Sequence, residues 1–351
     1  MRKINRVTIK DVATLANTSV ATVSYVLNNS QTRYITPAMR KTVEDAARDL
    51  GYVKSMVASG LKGKKMGVIS FLTPQFDNHF FMEIFFAIER IANRKGYTLT
   101  VCNTFDDPVH ERIAIERMSR LWVDACLVIP THKGAENSAY LRAHKIPVVS
   151  IERPLTGTDD KYDFISSDNF GAAYDMTEYL IKNGHTRIAI AYWESLITNL
   201  GERLEGYRQA LKDYGIGFDE SLVKRTTLVN RTEDSTQGEG YRLTQEILQD
   251  PTVTAVFYSQ YVLAEGGIKY MRQHKIQIPG DMSVGVLGGP KWVEMSEVKF
   301  AHIMQPGALI GEKAAEIIFA KLEGESPGFV QEKIPCTLYP GDSVRDLTNN
   351  G

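Results

Sequence analysis

The 351-residue chain is predicted to fold as a small all-α head followed by an α/β body of two lobes, each built on a doubly wound parallel sheet. Apolar residues recur at helical spacing between Ile9 and Leu50, which predicts the head. From Met66, strand-like runs alternate with longer helical stretches, and the alternation restarts after four strands, which predicts two lobes in tandem. A chain of this length is also expected to form two or three domains.

Three short helices are predicted in the head. The residues that share a buried helix face are Ile9, Val12, Ala13 and Ala16 in the first helix, Val23, Val26 and Leu27 in the second, and Val43, Ala46, Ala47 and Leu50 in the third. Thr8 and Ser19 are suited to cap the first two helices, whereas Thr36 and Pro37 begin the third and Gly51 ends it. Because only a three-residue turn separates the first two helices, they form a predicted helix-turn-helix, whose second helix fits the DNA major groove.

Charge divides unevenly along the chain. The formal net charge is −1, but residues 1–65 hold 12 basic and 4 acidic residues, and the remainder holds 29 basic and 38 acidic residues. The predicted head therefore carries +8 and the body −9, a distribution typical of proteins that bind a polyanion at one end. Three distant cysteines, Cys102, Cys126 and Cys336, favour a reducing cytoplasmic setting. Neither a signal peptide nor a membrane-spanning segment is expected.

The strands of the body follow buried, apolar runs. Those of the first lobe are MGVISFL, YTLTVCN, ACLVIP and PVVSIE, and those of the second are RIAIAYW, TAVFYS and SVGVLGG. Helical stretches at 81–95, 109–121 and 134–144 separate the first four, and a helix containing ERLEGYRQAL follows the fifth. The chain is predicted to cross between the lobes near Ile165 to Ser167. Open sheets of this type bind ligands beyond the carboxyl ends of their strands, so the cleft between the lobes is the expected site.

The stretch TIKDVATLANTSVATVSYVLNN, followed by ITPAMRKTVEDAARDLGY, resembles the head of the lactose-repressor (LacI/GalR) family of bacterial transcription regulators, and the resemblance covers nearly the whole chain. It implies a body like the two-lobed periplasmic sugar-binding proteins, in which the chain crosses between lobes three times, the later crossings lying near Gln305-Pro306 and Pro335. The implied domains are a DNA-binding head at 1–54, a hinge helix and linker at 55–63, a first lobe at 64–166 with 305–336, and a second lobe at 167–304 with 337–351.

The resemblance also implies the DNA contacts. Val20, Ala21 and Tyr25 occupy the positions that read bases. Tyr25 stands where the family usually has Arg, so the bidentate contact to guanine is absent, and a hydrogen bond or packing on a thymine methyl is left to Tyr25. The positions that contact phosphates are occupied by Thr8, Ser19, Thr22 and Asn28. Leu61, in the stretch SMVASGL, matches the hinge-helix leucine that wedges into the minor groove.

The family positions that contact an effector are occupied by Asn78, Phe80, Phe81, Glu152, Arg203, Gln260, Gly288 and Gln305. The second lobe departs from the family pattern, because Gln260-Tyr261 stands where Asn-Asp is common and Leu287-Gly288-Gly289 stands where Phe-Asp-Asp is common. Aromatic residues near strand ends, which are well suited to stacking on a sugar face or another planar ligand, are Tyr192, Trp193, Tyr258, Tyr261 and Trp292. We expect Trp193 to be a stacking face and Arg203 and Gln305 to be polar anchors.

The predicted function is a sequence-specific DNA-binding transcriptional regulator, expected to be a repressor of carbohydrate-utilisation genes. A small-molecule effector in the cleft, a sugar or glycoside, is expected to set its affinity for a double-stranded operator. A homodimer is expected, with a tetramer as the alternative, in the bacterial cytoplasm at the nucleoid and without a cofactor. Control by a phosphocarrier protein instead of a sugar stays open as the alternative function. No enzymatic activity is expected, because the sequence lacks GxGxxG after a strand, GxxxxGK(S/T), GxSxG and HExxH.

Overall fold

The computed structural model describes residues 7–28, 34–53, 65–155, 161–194, 198–227, 233–289, 292–325 and 328–348. The chain divides into two compact units, Met1–Met66, here called the head, and Gly67–Gly351, here called the body. The helices in chain order are α1 (Ile9–Leu15), α2 (Val20–Leu27), α3 (Pro37–Asp49), α4 (His79–Arg94), α5 (Pro108–Arg120), α6 (Gly134–Ala143), α7 (Asn169–Lys182), α8 (Thr198–Asp213), α9 (Glu233–Ile247), α10 (Tyr261–Gln273), α11 (Trp292–Met295) and α12 (Gly307–Glu323). The strands are β1 (Val68–Thr73), β2 (Thr98–Asn103), β3 (Ala125–Val128), β4 (Val148–Ile151), β5 (Asp163–Ser167), β6 (Ile188–Trp193), β7 (Val223–Thr226), β8 (Ala255–Tyr258), β9 (Ser283–Leu287), β10 (Ala301–Met304), β11 (Gln331–Ile334) and β12 (Thr337–Tyr339).

The three helices of the head close one small core, as their apolar spacing predicts. Val12, Val23 and Val43 contribute one fully or almost fully buried side chain from each helix. The turn between α1 and α2 places Asn17 at a φ of 47°, a left-handed conformation that Asn adopts more readily than most residues. Thr36 caps α3 by accepting a hydrogen bond from the Met39 N–H, which confirms the predicted start of the third helix.

Two six-stranded sheets form the body, and they have the same strand order. The first sheet runs β2-β1-β3-β4-β5-β11, with every neighbouring pair parallel, and the second runs β7-β6-β8-β9-β10-β12. In the second sheet β12 is antiparallel to β10, and the other pairs are parallel. Helices cover both faces of each sheet, so the strands are buried on both sides and read as continuous apolar runs.

The chain passes between the sheets three times. It leaves the first sheet after β5, and α7 then packs against the second sheet. It returns through Gln305 and Pro306 after β10, so that α12 packs on α4 beside the first sheet. It crosses last at Pro335 and Cys336, between β11 and β12. Residues that follow the carboxyl ends of strands in both sheets line one cleft, which is where ligands of such folds bind.

The elements missed by the sequence reading lie mostly in the second lobe and near the C-terminus. Strand β7 and helix α9 have polar sequences without a clear apolar stripe. Helices α9 and α10 lie very close together, because a Cβ built on Gly266 would be only 1.8 Å from the Gln237 carbonyl oxygen, and one on Gly240 only 2.0 Å from that of Leu263. Among the residues that the structure describes, no helix is long and apolar enough to cross a membrane.

Candidate functional site

The second helix of the head presents the predicted base-reading positions at its surface. Val20 is 41% exposed, Ala21 is exposed and Tyr25 is half-buried. The opposite face of α2 carries Val23 and Val26, both buried in the core of the head. The core therefore fixes the orientation of α2 and leaves its first turn accessible, which is the part of such a helix that meets base edges in the major groove.

The first two phosphate-contacting candidates cap helices. The backbone N–H and the hydroxyl of Thr8 both donate to the Asp11 carboxylate, each at 2.7 Å, and these bonds hold the pKa of Asp11 below its usual value. Ser19 caps α2, where its hydroxyl oxygen accepts the Thr22 N–H at 3.1 Å, and the two hydroxyl groups of Ser19 and Thr22 lie 2.9 Å apart. Thr8 thus lies at the N-terminus of α1, and Ser19 and Thr22 lie at the N-terminus of α2, where the helix dipole favours a phosphate.

Asn28 lies at the other end of α2. Its side-chain amide donates to the Ser24 carbonyl oxygen at 2.6 Å and to the Ser24 hydroxyl at 3.1 Å, so the amide is held against the end of the helix. Leu61, the candidate minor-groove wedge, lies outside the described residues. The DNA-contacting role of these residues stays a prediction.

A cleft of about 110 Å³ opens between the two sheets of the body, at the carboxyl ends of their strands. The first-lobe residues that line it are Gln75, Asp77, Asn78, His79, Phe80, Phe81, Glu83, Glu152 and Arg153. The residues that line it after the first crossing are Asn199, Leu200, Arg203, Thr236, Gln260, Tyr261, Val262, Leu287, Gly288, Gly289, Met304 and Gln305. The eight family-implied positions and Tyr261 thus line one cleft, whereas Trp193 and the other aromatic candidates, Tyr192, Tyr258 and Trp292, do not line it.

Arg203 is held rigidly inside the second lobe. Its Nε donates to Asn169 Oδ1 at 2.8 Å, and one terminal nitrogen donates to the Ser259 carbonyl oxygen at 2.6 Å. The side chain is only 5% exposed, and this burial lowers the pKa of Arg203 to about 10, whereas the nearby Glu152 carboxylate opposes the shift. Arg203 therefore keeps its charge at neutral pH and lies at the cleft wall in one fixed orientation.

The Glu152 carboxylate is tied to the first crossing between the lobes. Its Oε1 accepts the backbone N–H of Ser167 at 2.6 Å and the Ser167 hydroxyl at 2.7 Å. The Gln305 amide, at the second crossing, donates to the same hydroxyl at 3.2 Å. Burial raises the pKa of Glu152, while the bonds from Ser167 and the charge of Arg203 oppose that rise. Two of the three crossings thus meet in one buried polar network at the cleft.

Aromatic rings line the cleft from both lobes. Phe80 and Phe81 stand at the start of α4, with ring centroids 5.7 Å apart. Tyr261 begins α10 in the second lobe, and its ring lies over Gly288, whose ideal Cβ would be 3.0 Å from Tyr261 Cδ1. The φ of Gly288 is +103°, a conformation that residues with a Cβ rarely adopt. The absence of a side chain at Gly288 therefore makes room for the Tyr261 ring.

The prediction of a stacking face at Trp193 is corrected by the structure. Trp193 ends β6, is 2% exposed and packs with Tyr192 in the core of the second lobe. Tyr258 is fully buried as well, and Trp292 donates its indole N–H to Glu265 at 2.6 Å, away from the cleft. Both faces of this sheet are covered by helices, so a residue at a strand end can point into a core as well as into the cleft.

Sequence reasoning missed polar residues at the cleft mouth. His79 Nδ1 lies 3.2 Å from a Glu83 carboxylate oxygen, and partial burial raises the pKa of Glu83, which the His79 interaction opposes. Arg153 donates to the Asp106 carboxylate at 2.5 Å and to the Pro130 carbonyl oxygen at 3.1 Å. The i,i+4 spacing of His79 and Glu83 on α4, just after β1, was the available signal. Among the described lining residues, the carboxylates all belong to the first lobe.

A helix-turn-helix head and a two-lobed body with a ligand cleft at its strand ends define a class: DNA-binding regulators that carry a small-molecule-binding domain. The chain belongs to the LacI family of bacterial regulatory proteins. The family's model "Bacterial regulatory proteins, lacI family" matches residues 8–55. The model "Periplasmic binding proteins and sugar binding domain of LacI family" matches residues 66–340. The predicted family, fold class and function as a transcriptional regulator with an effector-binding domain are confirmed.

Individual relatives agree along the full length. The chain is 31% identical over 347 residues to the HTH-type transcriptional repressor PurR of Vibrio cholerae serotype O1 (strain M66-2), covering 98% of this chain and 99% of that protein. A solved complex of the transcriptional regulator CelR with cellobiose is 25% identical, with a TM-score of 0.72, and covers 96% of this chain and 100% of that one. The lac repressor dimer bound to operator and the anti-inducer ONPF has a TM-score of 0.81 at 20% identity, covers 97% of this chain and 100% of that one, and shares the fold.

Proposed function

We propose that this regulator is a repressor of carbohydrate-utilisation genes and binds a roughly palindromic operator as a homodimer. A sugar or glycoside in the cleft changes its affinity for that operator. The observation that carries the proposal is the cleft itself, which all eight family-implied effector positions and Tyr261 line. Its amide and hydroxyl groups suit sugar hydroxyls, and its aromatic rings suit a sugar face. The relative named CelR, which was solved with cellobiose, supports a sugar in this place.

The domain boundaries and DNA contacts belong to the same proposal. The head at 1–54 reads bases with Val20, Ala21 and Tyr25, and the hinge at 55–63 supplies Leu61. The first lobe comprises 64–166 with 305–336, and the second comprises 167–304 with 337–351. The net charge of +8 on residues 1–65 supports DNA binding by the head. A tetramer and a cytoplasmic location remain predictions from the sequence.

We further propose that the cleft binds its ligand without converting it chemically. Its two most buried charged groups are already committed to the protein, since Glu152 accepts two hydrogen bonds from Ser167, and Arg203 donates to Asn169 and Ser259. A general acid or base needs to reach the proton that it transfers, and groups held in this way serve better to orient a ligand. Incubating the full chain with each sugar that binds, and analysing the recovered sugar, tests this point; a converted product contradicts it.

The experiment for the effector begins with a thermal-shift screen of mono- and disaccharides, because a ligand at 100 times its dissociation constant adds about 2.7 kcal/mol of stability. The sugar that shifts the melting temperature is then titrated calorimetrically into wild type, Arg203→Ala and Arg208→Ala. Arg208 lies on the same helix but outside the cleft, where it pairs with Glu205. We expect Arg203→Ala to bind about 10- to 100-fold more weakly, because a hydrogen bond to a charged group is lost, and Arg208→Ala to bind as wild type.

Arg203→Ala also leaves Asn169 Oδ1 and the Ser259 carbonyl without their buried donor, so its melting temperature without sugar is measured alongside. Gln305→Ala, which loses the bond to the Ser167 hydroxyl, provides a second cleft variant. Equal affinity in wild type and both cleft variants contradicts the cleft assignment. If no sugar binds and a phosphocarrier protein alters operator affinity instead, the alternative function holds.

A further inference from the structure

The helix that reads bases in this head has an unusual composition. The sequence of α2 is VATVSYVL, which contains no Asp, Glu, Lys, Arg, Asn or Gln. Base recognition by hydrogen bonds in the major groove mainly uses those side chains: Arg or Lys makes a bidentate contact with guanine, Asn or Gln makes one with adenine, and Asp or Glu accepts from cytosine N4. Asn28, just beyond the helix, has its amide held against Ser24. The helix body therefore cannot read any base through a paired hydrogen bond.

The accessible part of α2 offers methyl groups instead. Val20 is 41% exposed and Ala21 is exposed, and both belong to the first turn. The hydroxyl of Thr22, next along the helix, lies 2.9 Å from that of Ser19. The core of the head is complete without Val20, because Val23 and Val26 fill the buried face of this helix. Val20 is thus an apolar side chain on the surface of a basic unit, at the point where recognition helices meet base edges.

Only one base presents a methyl group in the major groove. Thymine carries a C5-methyl there, and cytosine, adenine and guanine present hydrogen-bonding atoms. We propose that Val20 and Ala21 read thymine methyl groups, so that each operator half-site holds at least one thymine whose methyl is required for tight binding. This inference rests on the proposed binding of an operator through α2, and it adds the chemistry by which the operator is chosen.

The test uses the full chain and the removal of single methyl groups from DNA. A preferred duplex is first selected from a random double-stranded pool. Each thymine of one half-site is then replaced in turn by deoxyuridine, which removes only the methyl, and dissociation constants are measured by fluorescence anisotropy at one salt concentration. We expect at least one replacement to weaken binding about fourfold, which is about 0.8 kcal/mol for one buried methyl. The unmodified duplex, which has thymine at that position, is the reference.

Variants connect the effect to the helix. In Val20→Ser, which removes both methyl groups from an exposed side chain, the ratio between the uracil and thymine duplexes should fall towards one. Val53→Ser is the matched control, because Val53 is a 70% exposed valine of the head outside α2, and it should keep the fourfold ratio. Ala21→Gly tests the neighbouring position in the same way. The melting temperature of each variant confirms that it folds.

The outcomes separate this inference from the proposed function. Tight, salt-dependent binding of a selected duplex in which every thymine tolerates uracil overturns the methyl readout and leaves operator binding intact. A fourfold effect that persists unchanged in both Val20→Ser and Ala21→Gly also overturns it, because the methyl is then read from elsewhere. Selection of no duplex at all overturns both the inference and the proposed operator binding.

Discussion

Adding a single methyl group at Gly288 should distort the second-lobe wall of the cleft. Gly288 has a φ of +103°, and an ideal Cβ would lie 3.0 Å from Tyr261 Cδ1 and 3.3 Å from Tyr261 Cβ. Its N–H donates to the Ile303 carbonyl oxygen at 2.9 Å, so the backbone is anchored on β10 and cannot turn freely. A residue held in such a sparsely populated conformation costs about 1–3 kcal/mol. Gly288→Ala should therefore lower the stability of the body by that amount and move the Tyr261 ring.

The assay is thermal and urea unfolding of the full chain followed by circular dichroism, where each kcal/mol corresponds to about 2–4 °C in melting temperature for a domain of this size. Gly238→Ala is the control, because Gly238 is a helical glycine of α9 with no atom within 4 Å of its ideal Cβ, and alanine there should stabilise by up to about 1 kcal/mol. In a Tyr261→Ala background the clash with the ring should disappear, and the backbone strain and the 3.3 Å contact with the remaining Cβ should persist. A Gly288→Ala protein as stable as wild type would refute this reasoning.

Two further predictions concern buried groups of the body. Burial raises the pKa of Glu152 above its usual value, so at a pH just above that usual value the folded protein holds a proton that the unfolded chain has lost. Wild type therefore loses stability as the pH rises from the unfolded to the folded pKa, and Glu152→Gln should gain stability relative to wild type across that interval. A stability difference that does not change with pH would count against this cause. Gly266→Ala should push α10 away from α9, because the new Cβ would meet the Gln237 carbonyl oxygen at 1.8 Å, and the melting temperature should fall well below that of Gly238→Ala.

The head could be predicted from sequence in detail because its signals are local. Helix spacing, the Thr36-Pro37 start and the three-residue turn each depend on residues next to one another, and the structure confirms the three helices. Strands β1 to β4 of the first lobe were also predicted in the right order, because each is an apolar run bounded by turns, whereas β5 was expected only as a crossover and β11 was not predicted. Resemblance to the family then located the cleft residues, since strand ends occupy fixed places in this fold.

The features that were not predicted depend on packing between residues that are far apart in the sequence. Trp193 ends a strand covered on both faces, so its position alone does not decide whether the ring enters the cleft or the core. Strand β7 and helix α9 were missed because their sequences are polar and show no clear apolar stripe, although α9 packs closely on α10. Tyr261 and Gly288 are two departures from the family pattern that look unrelated in sequence, and the fold places the Tyr261 ring over Gly288.

The central claim is that occupancy of the cleft changes the affinity of the head for DNA. The direct measurement is an anisotropy titration of the selected operator with the full chain, with and without the saturating sugar found by calorimetry, over a range of salt concentrations. We predict a dissociation constant that rises steeply with salt, because phosphate contacts release counterions, and that shifts at least fivefold with the sugar, which is the lower end of typical coupling between sites. A sugar that occupies the cleft and leaves the operator affinity unchanged at every salt concentration would contradict the account, because a ligand alters an equilibrium only through unequal affinity for its states.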